Sequence, residues 1–483
     1  MHHRTPFTYL TGCTISDCGG SVHTLIDVSS TIESVRKPLA NFGRNVVNME
    51  DMVIISVDDH AIEPPEAFIR HYPEGKKDQA PRIVSDDGKD VWQWNGQRFP
   101  TIGLNAVVGR PRNEYGMEPT TFDQLRPGTF DPKLRVDDMN ANGVLASLNF
   151  PTMPGFAGGA LVSMAQKDPA ASLLAVRAWN DWHVQEWCAA APGRFIPMCL
   201  IPSWDMNETL KEMKRMSDLG VHAVSFSDNP SHNGQPSIHN EYWEPFWKAC
   251  SDYKMVINCH IGTGAQAMHP SSESPIDAWI TAMPISIANS AADWTFASFW
   301  KRYPELRMAL SEGGIGWIPY FLERADFTYA HHNEWTFSDF GQERPSDVFK
   351  RHIICCFIDD QFGIKNIDYM NEDMVAYECD YPHSDTVWPN VPEYLWASVN
   401  GMAKEKIDKI THLNVMREYS FDAFALNGGR DKCTVSYLRE LGKDVDVSPR
   451  HNLGGLKTDS MDLVGKARRA VTSGDIQRMF ASA

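Results

Sequence analysis

Residues 374–389 read Met-Val-Ala-Tyr-Glu-Cys-Asp-Tyr-Pro-His-Ser-Asp-Thr-Val-Trp-Pro, a short apolar run that delivers Glu378, Asp380, His383 and Asp385 into a proline-punctuated loop. Carboxylates and an imidazole at the carboxyl end of a strand can ligate a metal or move a proton. An aspartate-capped turn would have the same letters, but three other strand-like runs end alike. Val53–Val57 leads into Asp58-Asp59-His60, Met255–Cys259 into His260, and Leu306–Leu310 into Ser311-Glu312. Side chains two apart in a strand point the same way, so Asp58 and His60 share a face. Asp58, His60, His260, Glu312 and Asp380 are therefore the candidate metal ligands. Carboxylate oxygens mixed with imidazole suit zinc, manganese or iron, and enough of them can hold two metals. Asp380, Glu312 and His332 are the candidate catalytic groups. His332 stands in the helix-like stretch Tyr329–Trp335, where it could reach the site as ligand or base, or simply end a helix.

Such a set needs a scaffold that gathers strand ends on one rim. Strand-like runs recur at 53–57, 144–150, 195–201, 221–226, 255–259, 306–310, 353–358 and 374–377, with helical periodicity at 171–190 and 207–219 between them. This alternation predicts an α/β fold, a (β/α)8 TIM barrel with its site at the strand carboxyl ends. An insertion follows strand one as far as about Asn140 and contains a hairpin at Val91–Gly96. The expected division is a loosely ordered leader over 1–48, the barrel over 49–427 and a charged, irregular C-terminal extension over 428–483, which wraps the barrel or meets a partner. Met49 and Met52 stand directly before the first strand, so translation is expected to start there in the native protein.

Composition narrows the function. The 483 residues are 42% hydrophobic and 22% charged, with a net charge of −17. A basic footprint for nucleic acid or anionic membrane is missing, which leaves a small-molecule substrate. No apolar run has the length of a signal peptide or a membrane span. The ten cysteines include no CxxC pair, and Cys259, Cys355 and Cys356 lie in apolar runs, so they are expected to be reduced, in a cytoplasmic protein. A homo-oligomer is expected.

Asp58-Asp59-His60, His260, Glu312 and Cys379-Asp380-Tyr381-Pro382-His383 together resemble the amidohydrolase superfamily, in its amidohydrolase-2 branch of aminocarboxymuconate semialdehyde decarboxylase-like enzymes. The resemblance covers roughly Met52 to Asn427. It implies a divalent metal on Asp58, His60, His260 and Asp380. Where many relatives carry His-x-Gly on strand six, this chain has Ser311-Glu312-Gly313. An ionised Glu accepts hydrogen bonds or binds metal but cannot donate to an oxyanion. Two activities follow as expectations. One is metal-dependent hydrolysis or non-oxidative decarboxylation of an apolar or aromatic carbonyl or carboxyl compound, through activated water or metal-oriented substrate. The other is a non-haem diiron monooxygenase that hydroxylates a bulky hydrophobic substrate, terpenoid-like or CoA-linked. Phe150, Trp279, Trp388 and His383 are the candidate substrate contacts. Met153, Phe156 and Trp294 fall in or near the same loops.

Overall fold

The computed structural model describes residues 48–264, 267–451, 454–458 and 469–481. The expected leader, apart from Asn48, lies outside them. The first strand, β1 (Ile55–Ala61), leaves the insertion on its carboxyl side. There β2 (Arg82–Asp86), β3 (Lys89–Trp94) and β4 (Gln97–Phe99) form a small antiparallel sheet. The expected hairpin is the β3–β4 connection: Asn95 and Gly96 have φ of 47° and 73°, both left-handed as a two-residue turn between twisted strands requires.

The remaining strands are β5 (Ala146–Pro151), β6 (Phe195–Ile196), β7 (Ala223–Ser227), β8 (Val256–His260), β9 (Met308–Ser311), β10 (Ile353–Phe357) and β11 (Val375–Tyr377). They form two parallel sheets, β1-β5-β6 and β11-β10-β9-β8-β7. Parallel strands are covered on both faces, which is why stretches such as Ile353–Phe357 are continuously apolar. A parallel bridge between Cys199 and Val224 joins the sheets at one seam. At the other, the Asp380 amide donates to Asp58 O at 2.7 Å and the His60 amide to Tyr381 O at 2.7 Å.

One strand face contributes a buried cluster that includes Ile55, Val57, Leu148, Phe150, Met198, Ala309 and Cys356. A larger cluster joins the other face to helix residues such as Trp179, Met213, Trp247, Trp294 and Phe349. Several helices start on an Asp cap. Asp131 accepts from the amides of Lys133 (2.8 Å) and Leu134 (3.2 Å) with Pro132 at the first turn, and Asp168-Pro169 repeats the device.

Three expectations are corrected. The third strand is only Phe195–Ile196, because Pro197 has no amide to give the ladder, and pairing resumes at Cys199. The helix expected at 171–190 is α-helical over Pro169–Trp182 and then widens and tightens through His183–Ala190. The tail beyond 427 is not irregular throughout. Val435–Leu441 and Ser473–Ala481 are helices, and the Val435 amide donates to Met52 O beside β1 at 2.9 Å. Among the described residues, no helix is long and apolar enough to cross a membrane, and eight cysteines are free.

Candidate metal centre

The centre begins with an irregularity in β1. Its register against β5 shifts between Ser56 and Asp59, so Asp58 and His60 reach one centre while Asp59 turns away. Asp59 instead accepts from Ser56 Oγ at 3.0 Å and meets the buried Arg135 guanidinium at 3.5 Å. Arg135 also donates to Gly128 O at 2.7 Å and to His60 O, which fixes the backbone of β1 from behind.

Around the centre, His60 Nε2 lies 3.5 Å from Asp58 Oδ1 and 3.2 Å from Asp380 Oδ1. His260 Nε2 lies 3.4 Å from Asp58 Oδ2 and 3.3 Å from Glu312 Oε2. His383 Nδ1 lies 2.8 Å from Asp380 Oδ1. The ligand-type atoms of Asp58, His60 and His260 lie within 4.8 Å of one another, and so do those of His60, Asp380 and His383. The five residues expected as ligands are thus brought together. His383, expected only as a substrate contact, joins them.

Whether a cation suits these residues can be tested on their hydrogen bonding. His260 Nδ1 is 2.7 Å from Ile261 O, so that nitrogen carries the proton and Nε2 presents a bare lone pair. That lone pair faces carboxylate oxygens. Asp58 Oδ1 and Oδ2, Asp380 Oδ1 and Oδ2, both His60 nitrogens and His260 Nε2 are all buried without a hydrogen-bond partner. Buried polar atoms are rarely left so, and their gathering in one cluster, with His60 Nε2 and His260 Nε2 facing the Asp58 and Asp380 oxygens, fits a divalent cation. The electrostatics agree. Burial first, and repulsion from neighbouring acids second, pushes the Asp58, Glu312 and Asp380 carboxyls well above the usual range. Burial holds His60 well below its ordinary value, His260 down to about 3 and His383 to about 4, which favours the neutral imidazole that metal ligation requires.

Two of the acids adopt left-handed backbone, Glu312 at φ 59° and Asp380 at φ 51°. Glu378 accounts for the first: its buried carboxylate accepts from the Glu312 amide at 3.0 and 3.1 Å and holds the turn that aims Glu312 at His260. On the other side Glu63 accepts from the amides of Thr152 (3.1 Å) and Met153 (2.8 Å) and from Trp179 Nε1 (2.7 Å), which anchors the loop leaving β5.

The candidate substrate contacts divide. Phe150 lies against His60 and His260, with ring centroids 5.9 and 5.1 Å apart, and His383 against His60 at 3.9 Å. Trp388 is buried beneath Arg126, 4.3 Å away, and walls a cavity of about 580 Å³ that also includes Asp385 and Tyr115. Trp279 stacks on His269 at 4.7 Å, and Trp294 is core beside Phe226 and Trp247. His332 stands near the end of helix Ile318–Thr336, where its Nδ1 accepts from Trp335 Nε1 at 3.2 Å. Among the described residues, no hydrogen bond, ion pair or ring contact joins Trp279, Trp388 or His332 to the centre. Sequence reasoning missed Arg135 and Glu63. Nothing distinguishes an arginine in a polar helix, whereas an acid followed by Pro64-Pro65 at a strand exit was a usable sign.

The amidohydrolase family model matches residues 72–420, well over half of the chain, and begins after β1. No curated protein matches. Among solved structures, an amidohydrolase from Mycobacterium avium subsp. paratuberculosis K-10 is similar at TM-score 0.59 and 16% identity, covering 78% of this chain and 100% of that one. The 5-carboxyvanillate decarboxylase LigW from Sphingomonas paucimobilis has a TM-score of 0.52 at 17% identity, over 76% of this chain and 99% of its own. A 5-carboxyvanillate decarboxylase from Novosphingobium aromaticivorans, solved with manganese and 4-hydroxy-3-methoxy-5-nitrobenzoic acid, has a TM-score of 0.54 at 16% identity, over 78% and 98%. At these identities the likeness extends to the fold. With the matched span, the chain belongs to the amidohydrolase family and is a metal-dependent enzyme.

Proposed function

We propose that the two parallel sheets form one closed (β/α)8 barrel, and that Asp58, His60, His260, Glu312 and Asp380 hold a divalent metal at its carboxyl rim. The enzyme would be a hydrolase or non-oxidative decarboxylase of an aromatic or otherwise apolar carboxyl or carbonyl compound. The observation that carries this reading is the set of seven buried, partnerless ligand atoms. A cation there supplies positive charge that polarises a substrate oxygen or a water. The chain's own residues do the rest. His383 Nδ1 lies 2.8 Å from Asp380 Oδ1, and this pairing orients an imidazole that can take or return a proton at the reacting atom. Phe150 and Phe156 keep the imidazoles out of bulk water. Asp59 and Arg135 hold the backbone of β1 still.

The test is elemental analysis of the purified protein, followed by a screen of hydroxybenzoates, esters and amides for carbon dioxide release or hydrolysis, with dissolved oxygen monitored. Turnover without oxygen uptake supports the reading, and a metal-free protein that turns over unchanged would sink it. A second reading has its own support: two ligand triads share His60, and Glu312 adds a further carboxylate. That arrangement suits two irons and the hydroxylation of a bulky hydrophobic substrate. Two irons per chain with substrate-dependent oxygen uptake would select it.

A further inference from the structure

The ligand-type side chains come from β1, the end of β8, the turn after β9 and the segment after β11. The sector of β5 to β7 contributes none and shows aromatic surface instead. Phe150 there is fully buried. Phe156, in the loop after β5, is only half-buried, yet its ring centroid lies 4.3 Å from that of His260, 4.5 Å from His60 and 5.8 Å from His383. A single apolar ring thus touches three imidazoles of the centre and keeps part of its surface free. We propose that Phe156 is a specificity-determining residue, the wall against which a planar aromatic acid is held while its carboxylate reaches the metal.

The loop is built to keep the ring there. Gly155 and Gly158 adopt φ of +76° and +71°, a backbone that other residues rarely take, and so bend the chain on either side of Phe156. The loop is tied at two points: Glu63 holds the amides of Thr152 and Met153, and Ser225 Oγ from β7 donates to the Phe156 carbonyl at 2.5 Å. A loop anchored before and at the ring presents a preorganised surface, not a flap. Offset or tilted stacking on such a ring favours planar π systems over alkyl chains, whereas a small carboxylate binds through its charge alone.

This inference rests on the metal-centre reading, and the experiment separates the two. Wild-type protein is loaded with manganese and its metal content measured; then 4-hydroxy-3-methoxybenzoate and acetate are each titrated calorimetrically into wild type, Phe156→Ala and Phe156→Tyr. Expected are equal manganese content in all three, benzoate binding weakened on the order of tenfold in Phe156→Ala and retained in Phe156→Tyr, and unchanged acetate binding. Manganese-loaded Phe156→Ala that binds the benzoate as well as wild type does, or more tightly because an obstruction has gone, overturns the role of Phe156 and leaves the centre standing. A wild type that binds no metal overturns the centre, and the wall with it.

Discussion

His260 and Asp380 each place an unpartnered atom at the centre, so removing either would delete a proposed ligand that the fold does not itself need. His260→Ala and Asp380→Ala should each lower metal affinity by about 10- to 100-fold with an unchanged circular dichroism spectrum, read by elemental analysis after dialysis; full occupancy in both would remove the proposed site. Glu312 divides the two activities. If it serves a single-metal enzyme by orienting substrate, Glu312→Gln should keep one metal per chain and slow turnover by about 10- to 1,000-fold. In a two-metal centre the same change should lower the stoichiometry toward one and end oxygen uptake, since an amide is a poor ligand for a hard cation. Arg135 holds the backbone of β1 behind the proposed ligands. Lysine lacks the planar fork that reaches Gly128 O, His60 O and Asp59 together. Arg135→Lys should therefore lower the melting temperature and weaken metal binding by about tenfold, as losses behind a ligand do.

Loops set by close backbone approach carry the next scale. A Cβ on Gly264 would lie 2.5 Å from Asn229 O and 2.6 Å from Asn229 N, so the exits of β7 and β8 meet only because residue 264 is glycine. Gly264→Ala should force them apart and lower the melting temperature by several degrees, roughly a 1–3 kcal/mol loss for overpacking; an unchanged melting curve would show that the two loops give way freely. In the insertion, burial lifts the Glu118 carboxyl from near 4.5 to about 7, while the Asn105 amide bonds it at 2.9 Å. The folded state thus holds this proton more tightly than the unfolded chain. Its contribution is complete below the ordinary glutamate value and is lost as pH rises through about 7. Glu118→Gln should flatten that part of a melting-temperature-against-pH curve. Strand ends were the legible elements, because β-branched and apolar runs stop abruptly at Asp58, His260, Glu312 and Asp380. The β1 bulge, the shortened β6 and the positive φ at Glu312 were not. They depend on pairing partners and on Glu378, 66 residues away from Glu312, which no local pattern reveals. His332 and Trp279 were ambiguous for the same reason: an aromatic or histidine near a loop looks alike whether it faces the centre or packs on Trp335 or His269.

For the whole molecule, a cation bound only by the folded state adds stability that grows with its concentration, about 2.7 kcal/mol at a hundredfold excess over the dissociation constant. Chelation and dialysis should lower the melting temperature, and manganese or iron should restore it; equal melting with and without metal would speak against the proposed centre. The seam between β1 and β11 has a further consequence. The family match starts at residue 72, whereas Asp58 and His60 precede it and the backbone bonds at Asp380 and His60 tie the last strand to the first. A gene fragment cut to 72–420 would discard two proposed ligands and expose the unpaired flanks of β5 and β11 as sticky sheet edges. Such a fragment should accumulate as insoluble, metal-free aggregate, so the borders suited to recognising this family are the wrong ones for producing its enzyme.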